Sequence, residues 1–566
     1  MSAKKKQIAI GVEDFKTIID KGGYFVDKTL MIQKLIESQA MVTLFTRPRR
    51  FGKTLNQFML RRFFEDERTE TGEKIDNTHL FDGLKIMDGG EEILRHQQKY
   101  PVIFMSLKSA KQDTYALAYM ELKKRISEEY KRHKYVLQGD ALTADEKERF
   151  AAVSSILDDA SLYVDALGFL SMCLFKYHGQ NAIILIDEYD VPLENAYVHG
   201  FYEQMIGFIR SLFESALKTN PYLEKGVITG CLRISKESIF TGLNNLKTDS
   251  VLHTGYANSF GFTEADVTAM LSYYDLSDKL EEVKKWYDGY FYNGIEIYNP
   301  WSIINYVYDH SHKITRFPLP YWSNTSSNSI IREMVMDADD DAKRDLETLM
   351  DNGMIEKPVH EDITYGDIHK SQDNLWNFLF FTGYLKSVDE RIDAEGDLHL
   401  QLTIPNMEVK KIYRESITDW FDQRMKTTDR SPLIHSLEVG DCEAAEDFIN
   451  QQLLDTISYF DYAESYYHGF MAGLLSNVGR YRVYSNRESG NGRPDIVMTE
   501  LKFMGRAIIL ELKRSDTFKE MEMKCEEALV QMKEQKYAAP LADEGYQEIL
   551  QYAICFFKKG CMVRKA

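Results

Sequence analysis

Two different spacings of hydrophobic positions divide this chain. In its first part, residues 41–46 are a short apolar run, and the apolar positions of 55–64 recur at helical spacing. Further runs at 101–106, 182–186, 226–231 and 251–254 predict four more strands. Runs that are apolar throughout, separated by helical patterns, predict a parallel sheet covered on both faces. From about 262 to 450 helical spacing dominates, as at 265–273 and 277–287, between loops rich in Gly, Asn, Pro and aromatics. No repeat of fixed period is visible. From about 454 a helix leads into strands at 482–484, 495–499 and 506–513, an amphipathic helix at 517–536 and a last strand at 552–557. The expected class is α/β in three segments: 1–261 with a parallel sheet, a mostly helical 262–453, and a smaller α/β segment, 454–566.

Composition narrows this picture. At 566 residues, with 44% hydrophobic and 12% aromatic positions, the chain can bury several cores and is not a disordered polymer. No stretch approaches the roughly 20 apolar residues of a membrane span, so no membrane partner is expected. The start, Met1 to Lys6, is not followed by an apolar signal core, so export is not expected. Six scattered cysteines form no Cys-x-x-Cys pair, which fits a reducing cytoplasm. The net charge of −19 argues against a protein that coats nucleic acid over its whole surface, but not against a local basic groove. Residues 454–566 hold 16 Lys+Arg and 16 Asp+Glu, so the first 453 residues carry the entire acidic excess.

The strand at 41–46 runs into Arg47-Pro48-Arg49-Arg50-Phe51-Gly52-Lys53-Thr54. Gly-Lys-Thr between a strand and a helix is the end of a phosphate-binding P-loop. Gly52 lets the backbone approach, Lys53 reaches the β- and γ-phosphates, and Thr54 offers a hydroxyl to Mg2+. Arg47 stands where the first glycine of such loops normally sits, so the turn must tolerate a side chain. The competing reading is a basic surface turn. The apolar strand 182–186 ends in Asp187-Glu188, acids placed where ligands bind in open α/β sheets. Asp187 would hold Mg2+ through water, and Glu188 would polarise the attacking water. The strand at 101–106 lies between the two motifs in sequence, and an extra strand there marks the P-loop branch with a glutamate base. Thr229 and Arg233 are candidate γ-phosphate sensors, against readings as a cap and a surface ion pair.

In the last segment, Asp495 opens one strand and Glu511 and Lys513 close the next, around a turn near 501–505. If Thr499 pairs near Arg506, Asp495 falls opposite residue 510 or 511. Alternation puts Glu511 and Lys513 on one face. Two carboxylates hold a hard cation, and a lysine beside them orients or deprotonates water. The competing reading is an edge strand with Glu511 and Lys513 as a solvated pair. Glu464 and His468, one helical turn apart, are candidates for a third carboxylate and a structural histidine, and Gln531 for a contact to the site or to a nucleic-acid backbone. The aromatic stretch 286–301 is read as packing before base stacking.

Taken in order, these motifs resemble bacterial and archaeal proteins that join an AAA-ATPase-like domain to a C-terminal PD-(D/E)XK nuclease domain. The resemblance rests on Tyr24 to Thr29, Arg47 to Leu55, Ile186 to Asp190, the segment from Thr229 to Asn245, Trp286 to Tyr290, Tyr298 to Ser302, Phe381 to Tyr384, and Glu464, Asp495, Glu511 and Lys513. It implies a P-loop NTPase domain binding ATP and Mg2+ through Arg50, Gly52, Lys53, Thr54, Leu55, Asp187, Thr229 and Arg233, with Glu188 catalytic. It implies a restriction-endonuclease-like end domain with Asp495, Glu511 and Lys513 catalytic. There Glu464, Asp495 and Glu511 would hold Mg2+, with Mn2+ as a substitute. Nucleic acid, DNA before RNA, is the expected partner, and a homo-oligomer is left open. The alternative is an NTP-driven switch or scaffold whose nuclease-like domain only binds.

Overall fold

The computed structural model describes residues 5–566 except 219, 234–238, 241–244, 293, 324–330, 332–338, 362–370, 455–463, 477, 486–491 and 503. The chain forms two compact units, one of Met1–Ser327 with Met354–Lys411, the other of Asn328–Gly353 with Ile412–Ala566. No described helix is long and apolar enough to cross a membrane.

The first unit is organised by five parallel strands: β1 (Val42–Thr46), β2 (Val102–Ser106), β3 (Ala182–Asp187), β4 (Leu223–Gly230) and β5 (Leu246–Asp249). Their order is β2-β3-β4-β1-β5. Every residue of β1 and β3 is buried, as continuous apolar runs require when helices cover both faces. The fifth strand lies at 246–249, not at the run 251–254, which forms a turn outside the sheet. The strand standing between β1 and β3 in space is β4, while β2 lies at the sheet edge. That edge is closed by side chains: Glu129 accepts from the Phe104 amide at 2.8 Å and Arg132 donates to the Val102 carbonyl at 2.5 Å. Because the strands are parallel, Thr46, Asp187 and Gly230 all reach the same carboxyl edge.

The helices of the middle region are accompanied by two small antiparallel sheets. One joins β6 (Phe262–Thr263), β7 (Tyr290–Tyr292) and β8 (Ile295–Tyr298); the other joins β9 (Ile355–Pro358), β10 (Lys386–Ile392) and β11 (Leu398–Thr403). Tyr287, Tyr290, Tyr292 and Tyr298 are buried, so most of the aromatic stretch is packing. Glu408, a fully buried carboxylate, accepts from Ser302 Oγ at 2.7 Å and the Trp322 amide at 2.8 Å. Burial pushes its carboxyl up to about 7.

The second unit carries β12 (Tyr481–Ser485), β13 (Ile496–Glu500), β14 (Arg506–Arg514), β15 (Glu548–Phe557) and β16 (Gly560–Lys565), in that order. The β14–β15 pair is parallel and the other pairs are antiparallel. Alternation splits the sheet between two cores. Ile508, Leu510 and Leu512 pack with Phe470, Met471 and Leu474 of the helix Glu464–Leu475. Ala507 and Ile509 face Met521, Cys525, Ala528 and Met532 of the helix Met521–Glu534.

Candidate functional site

The first site grows from the end of β1. The left-handed conformation falls at Arg50 (φ 70°) and Gly52 (φ 83°), and Arg47 is not among the positive-φ residues. The turn therefore accepts a side chain at the missing-glycine position without strain there. The Arg47 side chain leaves the loop entirely. It is fully buried and donates to the Thr46 carbonyl (2.9 Å), the Asp249 carbonyl (2.7 Å) and Asp249 Oδ1 (2.5 Å). Its guanidinium lies over the rings of Phe260 and Tyr292. Arg47 thus fastens the P-loop to β5.

Gly52 caps the helix Lys53–Phe64, so Lys53 and Thr54 stand in its first turn. Thr54 Oγ1 donates to Asp187 Oδ2 at 2.8 Å, and Thr229 Oγ1 donates to Asp187 Oδ1 at 2.5 Å. One carboxylate from β3 thereby gathers a hydroxyl from the P-loop helix and one from β4. Burial pushes the Asp187 carboxyl up, against those two hydrogen bonds. Lys53 Nζ donates to the carbonyls of Arg47 (2.8 Å) and Pro48 (2.9 Å). Glu188 takes φ 53°, an uncommon conformation for glutamate, and burial followed by the Asp187 charge pushes its carboxyl up. Asp190 is buried and accepts from the amides of Cys231 (2.6 Å) and Leu232 (3.2 Å), fixing the exit of β4.

A cavity of about 380 Å³ is lined by Arg50, Gly52, Lys53, Thr54, Leu55, Glu188 and Asp190. Its cations together with the Thr54–Asp187 pair are the donor set a Mg2+-triphosphate needs. Asp187, Thr229 and Arg233 are not among the residues of that wall; Asp187 is tied to it by its hydrogen bond with Thr54, whereas Arg233 Nη1 lies 3.3 Å from Glu361 Oε2. Sequence reasoning missed Arg49, Lys108, Lys111 and Trp301, which also line the cavity. Trp301 opens the helix Pro300–Ser311, and the Arg50 guanidinium stands 4.4 Å from its ring centroid. No local signal links a tryptophan so distant in sequence to a P-loop. An adjoining apolar cavity of about 90 Å³ shares Val12, Gly52, Leu55 and Ile304 with the first.

The second site lies where β13 and β14 pair. Thr499 pairs with Ala507, next to Arg506 as expected, and Ile496 with Leu510; continued by one step, this register sets Asp495 opposite Glu511. β14 is an inner strand and Glu511 is 2% exposed, so Glu511 and Lys513 are not a solvated pair on an edge. Asp495 Oδ2 accepts from the Leu512 amide at 2.8 Å. Glu511 Oε1 accepts from Lys513 Nζ at 3.1 Å and Gln531 Nε2 at 2.6 Å. Glu511 Oε2 is buried with no hydrogen-bond partner. A buried carboxylate oxygen without a donor is costly, and a cation is one of the few groups that answers it. Burial and then the Asp495 charge push the Glu511 carboxyl up. His468 Nε2 lies 3.2 Å from the Asp495 carbonyl and 3.0 Å from Ser485 Oγ, a supporting place. Tyr537 OH, 3.3 Å from Gln531 Nε2, is a neighbour that no sequence signal marked. The Glu464 side chain lies outside the described residues. Among the described residues no group of three or more His, Cys, Asp or Glu gathers as metal ligands, so Asp495 and Glu511 stand as a pair.

Comparison with known proteins agrees with this layout. Residues 9–240 match a family described as predicted AAA-ATPase, AAA-ATPase-like, and residues 462–566 match a PD-(D/E)XK nuclease superfamily family. A relative from Azotobacter chroococcum mcd 1, described as an uncharacterized protein in the vnfD 5' region, is 25% identical over 548 residues, covering 94% of this chain and 93% of the relative.

Proposed function

We propose that this chain, which joins an AAA-ATPase-like domain to a C-terminal PD-(D/E)XK-superfamily domain, hydrolyses ATP and cuts nucleic acid, with cutting dependent on the nucleotide state. The triphosphate lies against Gly52, Lys53 and Thr54, and the base enters the adjoining apolar cavity. Thr54 and Asp187 hold Mg2+, and Thr229 keeps Asp187 oriented. Glu188 takes the proton of the attacking water, a task helped by a carboxyl whose affinity for protons burial has raised.

In the end domain, Asp495 and Glu511 hold a divalent metal, with Glu464 as a further ligand. The metal supplies Lewis acidity toward the phosphodiester and lowers the pKa of water. Lys513 stays by Glu511 and orients the water that attacks phosphorus. Gln531 fixes the other side of the Glu511 carboxylate. DNA is the proposed substrate. The observation that carries this reading is the buried, partnerless Glu511 Oε2 beside Lys513 and opposite Asp495. A module that only bound nucleic acid would have no use for a buried carboxylate set beside a lysine and opposite a second carboxylate.

The test is cleavage of plasmid and single-stranded DNA with Mg2+ or Mn2+, with and without ATP. Wild type, Lys53→Ala and Glu511→Ala are compared. Metal-dependent cutting that Glu511→Ala abolishes and Lys53→Ala alters is the expected outcome. ATP hydrolysis with no cutting of any substrate would favour an NTP-driven switch whose end domain only binds, the reading that the net charge of −19 suits better.

A further inference from the structure

The P-loop holds three arginines, and the structure gives each a different degree of freedom. Arg47 is locked against Asp249, with no exposed surface. Arg50 is stacked on Trp301. Arg49 lines the phosphate cavity, and its Nη2 donates to both oxygens of Glu194, at 2.7 and 2.5 Å. Glu194 lines the same cavity from the first turn of the helix Val191–Val198, which begins just beyond Glu188 and Asp190. This ion pair therefore joins the P-loop to the helix that follows the acidic strand.

The pair is built to exchange. Its side chains keep 33% and 29% of their surface exposed, against 0% and 3% for Arg47 and Asp249. Ion pairs with this much water access are weak. A phosphate dianion offers a guanidinium more charge and better fork geometry than a carboxylate does. One nitrogen cannot serve both anions at full strength, so a phosphate in this cavity competes with Glu194 for Arg49. The other cavity cations are less suited. Lys53, Lys108 and Lys111 are point charges without a guanidinium fork, and Arg50 is stacked on Trp301.

We propose that Arg49 recognises the terminal phosphate of a nucleoside triphosphate, and that Glu194 holds it otherwise. The pair then distinguishes triphosphate from diphosphate and reports the difference to the helix Val191–Val198. This rests on the ATP-binding reading above. Arg49 fills, within the same chain, the place of the charge-sensing arginine, where Arg233 is paired with Glu361 instead.

The test is calorimetric binding of ATPγS and ADP, each with Mg2+, to the full chain and to Arg49→Ala, Arg49→Lys and Glu194→Gln. Arg49→Ala should weaken ATPγS about 10-fold or more while moving ADP by less than about 3-fold, the loss of one charge-assisted phosphate contact. Arg49→Lys should restore part of the ATPγS affinity. Glu194→Gln should tighten ATPγS by about 3-fold or more and leave ADP unchanged, a gain that a merely structural contact would not give. Equal weakening of both ligands by Arg49→Ala, or no tightening by Glu194→Gln, overturns the inference alone. A wild-type chain that binds neither nucleotide overturns the ATP reading and this inference together. If Arg49→Ala fails to fold, the Lys and Gln variants decide the matter.

Discussion

Replacing Arg47 by methionine should destabilise the first unit heavily, although P-loops ordinarily carry glycine at that position. The guanidinium makes three hydrogen bonds and covers two rings, and its partner Asp249 is 2% exposed. Methionine keeps much of the packing volume but leaves Asp249 as a buried, uncompensated charge. Breaking a buried pair in this way costs about 3–5 kcal/mol. Removing both charges, as Arg47→Met with Asp249→Leu, eliminates the stranded carboxylate and leaves two carbonyls without their donor. The double variant should therefore recover at least half of the loss. Urea unfolding followed by tryptophan fluorescence suits the measurement, because four of the five tryptophans lie in the first unit. Nucleotide affinity of the double variant should stay within about 3-fold of wild type, since Arg47 points away from the cavity. A single variant within about 1 kcal/mol of wild type would refute the reasoning. So would a double variant whose loss equals the sum of the two single losses, because independent sites add and a coupled pair does not.

Two further outcomes follow from carboxylates whose pKa burial raises. Glu188→Gln should bind ATP with an affinity within about 3-fold of wild type while slowing hydrolysis by about 100-fold or more, the scale of a lost general base, in a steady-state phosphate-release assay; unchanged turnover would remove Glu188 from its role. Glu408, whose pKa burial raises to about 7, holds its proton more tightly folded than unfolded. Its penalty is absent below the ordinary glutamate value of about 4.3 and fully present above about 7, so stability falls as pH rises through that window by roughly 4 kcal/mol in all. The difference in unfolding free energy between wild type and Glu408→Gln, from urea titrations, should change by about 2 kcal/mol between pH 5.5 and pH 8.5, the part of that window lying above pH 5.5, and a pH-independent difference would refute the assignment.

Much of the architecture was written into local pattern. Continuous apolar runs at 41–46 and 182–186 specify buried strands because no other arrangement hides both faces of such a segment. Gly52-Lys53-Thr54 and Asp187-Glu188 were visible because each sits at the end of such a run. The two-residue alternation also forecast that Glu511 and Lys513 share a face. The fifth strand was misplaced by a few residues, since Leu246–Asp249 is only partly apolar and pairs on one side alone.

What remained hidden depends on contacts between distant residues. Whether β14 is an inner strand or an edge decides whether Glu511 is a buried ligand or a solvated one, and only the pairing with β13 and β15 settles it. Arg47 reads in sequence only as a side chain where P-loops carry their first glycine, and its buried partner Asp249 can be recognised only once β5 lies beside β1. Trp301 and Glu194 join the phosphate cavity through tertiary packing, which leaves no periodic trace along the chain. The sequence by itself determined which segments are strands and helices and which chemical groups stand at their ends, because those follow from short-range burial and backbone preference. Tertiary structure decided which of those groups meet, how far each is buried and which cation each carboxylate holds, because charge and hydrogen-bond energies depend on distance and desolvation that only the folded chain defines.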